Sequence, residues 1–166
     1  MPYIAPEVLL GQKYSPAADI YSFGVIMAEM TTGIRPFYER SFDTKLAIEI
    51  SCGKRPEFAL RTPNCYIELA KSCMHFDSQK RPTAETIYNK LSEWHNFVKE
   101  SDEPDDLDEF LSITLRKHPD IVYASMFINT HDIAQYYKEI SDQFNIKDEI
   151  ASASNNFEIS IDAINQ

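Results

Sequence analysis

The chain has 166 residues, of which 43% are hydrophobic and 12% aromatic, enough to pack the core of one domain with an extension beyond it. Its formal net charge of −10 is uneven: residues 1–100 carry 12 Lys or Arg against 12 Asp or Glu, and residues 101–166 carry 4 against 14. A tail of that sign repels nucleic acid and anionic lipid, so neither is expected as a partner. No apolar run approaches a membrane span, and the N-terminus lacks the basic-then-apolar order of a signal peptide. Cys52, Cys65 and Cys73 are odd in number and form no C-x-x-C pair. They argue against a disulfide framework and a zinc site, and read as buried thiols in a reducing, cytoplasmic setting.

The first long helix is announced by Ser15-Pro16, a cap residue followed by proline at a position where its missing N–H costs nothing. It runs to about Thr32 and stops at Gly33, with Pro36 beyond. Asp19 and Glu29 are its only charged residues, a pattern that asks for burial on every side. A second helix is predicted over Asp43 to Cys52, with Leu46, Ala47 and Ile50 on one face and Gly53 as its stop. A third starts at Pro63 and carries Tyr66, Leu69, Ala70 and Cys73 at core-facing spacing. A fourth starts near Thr83 and aligns Ile87, Leu91, Trp94 and Val98. Arg55-Pro56 and Asp77-Ser78-Gln79 read as the loops between them.

The charge changes at Ser101-Asp102-Glu103-Pro104-Asp105-Asp106, an acidic, proline-bearing stretch of linker type. Beyond it Leu107, Phe110, Leu111 and Leu115 recur at helical spacing. So do Ile133, Tyr136 or Tyr137, Ile140 and Phe144 after the capping candidate Thr130. Lys117-His118-Pro119-Asp120 interrupts the two runs, and Phe157 to Ile161 alternates like a strand without a visible partner. The tail is expected to be a disordered acidic extension whose short helices form transiently, with a folded second domain as the alternative.

Ala5-Pro6-Glu7, Asp19-Ile20-Tyr21-Ser22-Phe23-Gly24, Gly33-Ile34-Arg35-Pro36-Phe37 and Arg81-Pro82 follow one another in an order that resembles the C-lobe of a protein kinase. The second stretch resembles the form common in the tyrosine-kinase-like group, with Tyr21 where many kinases have tryptophan. The resemblance covers residues 1–98 and implies a mainly α fold: the truncated helical half of a kinase domain. Residues 99–166 are then an acidic, partly helical or disordered extension. Glu7 and Arg81 resemble the buried pair that ties the activation segment to the loop before the last helix. If they pair, the two charges are expected within about 4 Å. Asp19 resembles the aspartate that braces the catalytic loop, whose N–H groups are not in this chain. Pro2, Tyr3 and Ile4 resemble the floor beneath a substrate residue, with ordinary packing as the plainer reading for Tyr3 and Ile4.

The resemblance implies a family that uses Mg²⁺ and ATP to phosphorylate protein Ser, Thr or Tyr, with protein substrates or partners. The Gly-rich loop, the phosphate-binding lysine, H-R-D and D-F-G would all precede Ala5, and none occurs in this sequence. The four glycines, at 11, 24, 33 and 53, are isolated. His75, His95, His118 and His131 lack metal-ligand spacing and read as surface or capping residues. No catalytic residue, cofactor or metal is therefore expected for this fragment, which is expected to be inactive alone. Two other readings fit the same residues: a noncatalytic protein-interaction module, and an incomplete gene model beginning at an internal methionine.

Overall fold

The computed structural model describes residues 2–100 and 129–144, excepting the side chains of Glu100, Gln143 and Phe144. The predicted Leu107–Leu115 helix, the break around His118 and the alternation at Phe157–Ile161 lie outside the described residues. Among the described residues there are six α-helices, one 3₁₀ turn and no strand. In chain order they are α1 (Pro6–Leu9), α2 (Pro16–Thr32), α3 (Thr44–Ser51), α4 (Asn64–Cys73), the 3₁₀ turn Ser78–Lys80, α5 (Ala84–Glu100) and α6 (Thr130–Phe144). The fold is the helical C-lobe type.

Helix α2 is the central strut. Proline stands at its first position and Gly33 ends it in the left-handed region at φ 63°, its N–H donating to the Glu29 carbonyl. Ser15 occupies the cap position, but its side chain makes no capping hydrogen bond; the predicted side-chain cap is corrected to a backbone one, Ala18 N–H to the Ser15 carbonyl. Helix α4 lies against α2 at Gly24, where a Cβ would sit 2.8 Å from the Ala70 carbonyl oxygen, Cys73 Cβ and Met74 Cγ. Only glycine permits that approach. Ala18, Tyr21, Val25, Met27 and Ala28 of α2 are buried. The other side of α2 is not covered: Ile26 is 44% exposed and Met30 70%. A helix apolar nearly all round asks for cover on every side, and here the neighbouring elements wrap only part of the circumference, leaving an apolar face exposed.

The remaining helices follow local rules. Asp43 caps α3 by accepting from Leu46 N–H at 2.9 Å, and the Thr83 hydroxyl accepts from Thr86 N–H before α5. On α5 only part of the predicted stripe is covered. Ile87 is buried and Trp94 stacks on Tyr66 at 6.1 Å, whereas Leu91 and Val98 are exposed. Cys73 is buried and Cys52 half-buried, but Cys65, on the first turn of α4, is exposed, correcting the reading of all three as buried thiols. Burial pushes both the Cys73 and the Cys52 thiols up to about 11.

Helix α3 is held from two sides. Glu49 receives a two-pronged contact from Arg40, with Nη2 donating to Oε1 at 2.8 Å and Nη1 to Oε2, and Lys54 Nζ adds a third bond at 2.8 Å. The hydrogen bond from Arg40, followed by that from Lys54, outweighs burial and draws the Glu49 carboxyl down to about 2. The outer side of α3 is covered by α6, which packs on α1 and α3 and inserts Ile133 and Ile140 into the core shared with Leu9, Leu46, Ala47, Ile48 and Ile50. This stretch is a helical part of the extension. The cap is also reassigned from Thr130 to Asn129, whose Oδ1 accepts from His131 N–H at 3.2 Å.

Candidate functional site

Pro6 opens α1 directly after the Pro2-Tyr3-Ile4 strip and places Glu7 in its first turn. Arg81 follows the 3₁₀ turn in extended conformation, φ −71° and ψ 143°, as a residue before proline favours. The fold brings the two together across 74 positions: Arg81 Nη1 donates to Glu7 Oε1 and Nη2 to Oε2, both at 2.7 Å. The Arg81 side chain is fully buried and that of Glu7 13% exposed. Its other donors reach the carbonyls of Ala17, His75 and Phe76 at 2.8, 2.8 and 3.3 Å. All five N–H groups of the guanidinium are thus used, which lets so buried a charge persist. One arginine ties α1, the start of α2 and the loop after α4.

Beneath this pair lies Tyr21 of α2, 1% exposed, with the Arg81 Cζ 5.2 Å and the Arg55 Cζ 5.1 Å from its ring centroid. Burial raises the Tyr21 hydroxyl above its ordinary range, and the two arginines pull it the other way. Arg55 donates Nε to the Met74 carbonyl at 2.9 Å, and Nη1 to those of Ile50 and Lys54 at 2.9 and 2.8 Å. Burial lowers its pKa from the ordinary value. Sequence reasoning read Arg55-Pro56 only as a loop. The Arg-Pro dipeptide is no signal for this contact, because a third one, Arg35-Pro36, places its guanidinium over Phe42 instead, 4.8 Å from the ring centroid.

The Pro2-Tyr3-Ile4 strip is fastened onto α2. The Tyr3 hydroxyl donates to Glu29 Oε2 at 2.7 Å, and the Ser22 hydroxyl donates to the Tyr3 carbonyl at 2.7 Å. Pro2 is buried, while Tyr3 and Ile4 are half-buried and pack against the core. Asp19 stands apart from these groups, exposed in the first turn of α2. Among the described histidines, His95 and His131 are exposed, and His75 Nδ1 accepts from Asp77 N–H at 3.0 Å. Among the described residues no group of three or more His, Cys, Asp or Glu is placed to hold a metal ion. With the four glycines isolated as well, these residues do not fit a Mg²⁺–ATP site. No helix among them is long and apolar enough to cross a membrane.

Residues 1–94 match the protein kinase domain family, and the chain belongs to it. A putative serine/threonine-protein kinase/receptor of Acanthamoeba polyphaga mimivirus is 40% identical over 89 residues, 54% of this chain and 5% of that protein. A probable serine/threonine-protein kinase of Dictyostelium discoideum is 38% identical over 89 residues, 52% of this chain and 5% of its own. The solved AtMLKL3 tetramer is similar with a TM-score of 0.51 and 28% identity, covering 85% of this chain and 24% of that one. The chain therefore spans only a small share of the proteins it matches, and it represents part of a kinase domain.

Proposed function

We propose that this chain is the substrate-facing helical part of a serine/threonine kinase domain of the tyrosine-kinase-like group, and that it transfers no phosphate by itself. The fastening of Pro2-Tyr3-Ile4 carries this reading: Ser22 and Glu29 hold its backbone and its ring, while Arg81 anchors Glu7 in the adjoining turn. A strip fixed at several points presents a preorganised surface to an extended peptide, with less conformational freedom to lose on binding. Serine/threonine specificity is supported by the names of the two relatives, and the tyrosine-kinase-like group by the stretch from Asp19 to Gly24. Phosphoryl transfer needs groups on the nucleotide phosphates and on Mg²⁺. This chain would depend on another part of a kinase domain for them.

The test has two arms. The purified chain with Mg-ATP and generic protein substrates is expected to transfer no phosphate above a blank, and calorimetry to show no nucleotide binding. Residues 1–98 grafted in place of the corresponding part of the mimivirus kinase are expected to give a domain that phosphorylates serine or threonine peptides. Transfer by the pure chain alone would overturn the first statement. A folded chimera that modifies only tyrosine would overturn the specificity.

A further inference from the structure

Helix α3 is only eight residues long, yet Leu46 to Ser51 are all buried. A short helix at the edge of a domain ordinarily leaves one side in water. Here α6 closes it. Ile133, Tyr137, Ile140 and Ser141 of α6 form one stripe at i, i+4, i+7 and i+8, with the two isoleucines 1% and 8% exposed. Tyr137 is half-buried beside Cys52, at the end of α3, and burial raises its hydroxyl pKa. The opposite side of α6 is exposed at His131, Asp132, Gln135, Lys138, Glu139 and Asp142.

The contact has two further properties. Among the described residues, the side-chain hydrogen bonds of α6 are made within it and its cap, as in Asn129 to Asp132 and Gln135 to Glu139. Its seat on α1 and α3 is thus apolar, the chemistry of an amphipathic helix lying in a groove. The groove belongs to the family region, residues 1–94, whereas its occupant lies beyond the match, after residues 101–128. The 28 residues that join the two can span at most about 100 Å.

We propose that the α1–α3 face is a helix-binding groove and that Thr130–Phe144 is its own tethered, exchangeable occupant, anchored by Ile133 and Ile140. A tether supplies the helix at an effective concentration on the order of millimolar, so a modest intrinsic affinity keeps the groove filled. A free helix of the same pattern must compete with that concentration.

Insertion of a specific protease site after Asp106 in the full chain, followed by cutting, removes the tether without removing the helix. A fluorescent peptide of residues 129–144 is expected to bind the cut protein saturably and the uncut protein at least tenfold more weakly. The same peptide with Ile133→Asp and Ile140→Asp is expected not to bind. Equal binding to cut and uncut protein, equal binding of the substituted peptide, or no binding to the cut protein would overturn the proposal.

Hydrogen exchange on the uncut chain carrying both substitutions gives a separate readout. Amides of α1 and α3 are expected to exchange at least tenfold faster, while α2 and α4 keep their protection. Loss of protection in all four helices together would show that α6 is an inseparable part of the core, and would overturn the proposal. A dimer of the native chain that the two substitutions dissolve would seat the helix of a second copy in the groove, overturning the tethered form.

Discussion

Helix α3 has every residue from Leu46 to Ser51 buried, whereas the longer and more apolar α2 leaves Ile26 and Met30 44% and 70% exposed. The difference lies in their neighbours. Helix α3 stands between Arg40 and Lys54 on one side and α6 on another. Helix α2 is lined by α4, the 3₁₀ turn and the Pro2–Ile4 strip, and these reach only part of its surface. Burial is thus conferred by what packs against a helix, while its own sequence sets only what is lost when nothing does.

The comparison is broken most severely at the covered side of α2. Arg81→Ala would leave Glu7 without its partner in a nearly closed site and strip the donors from three carbonyls, costing about 3–5 kcal/mol. Native stability is typically about 5–15 kcal/mol, so urea denaturation should show a markedly lower midpoint. Retention of the native midpoint would mean that the pair contributes little.

The two regions are compared directly by truncating one apolar residue in each. Ile133→Ala is expected to cost about 2 kcal/mol, the low end for an emptied core position, because the loss is limited to what the docking of α6 contributes. Met30→Ala is expected to change stability by no more than about 0.5 kcal/mol, since the side chain is already in water. Equal costs in equilibrium denaturation would dissolve the distinction.

A pH series sharpens the account of α3. Glu49 is depressed from its ordinary 4.5 to about 2, so its carboxylate stabilises the fold fully above pH 4.5. That contribution is lost as pH falls toward 2, with a slope of at most about 1.4 kcal/mol per pH unit from this one group. Glu49→Gln should flatten the dependence in that window. An unchanged acid limb would remove Glu49 from the account.

The smallest effect belongs to the uncovered side of α2. The full chain is expected to bind a hydrophobic dye at that surface, and Ile26→Lys with Met30→Lys is expected to lower the fluorescence severalfold. The melting midpoint should scarcely move, as befits exposed positions. Undiminished dye binding would place the apolar surface elsewhere, with Leu91, Phe97 and Val98 of α5 the next candidates.

Much of the local architecture is legible in the chain itself, because its signals act over a few residues. Ser15-Pro16 and Gly33 bound α2 through backbone conformations that proline and glycine favour, and Asp43 caps α3 three residues from its donor. The motifs at Ala5, Asp19, Gly33 and Arg81 point to the kinase domain family that residues 1–94 match. Tertiary structure alone decided the rest. It sent Arg55 to the same ring as Arg81, although Arg55 lies 34 positions from Tyr21 and no local signal links them. It also set α6 on α1 and α3, since an amphipathic stripe specifies that one face will be buried but not against what. The same limit explains α2: its composition states how much surface could be buried, and only the packed neighbours determine how much is.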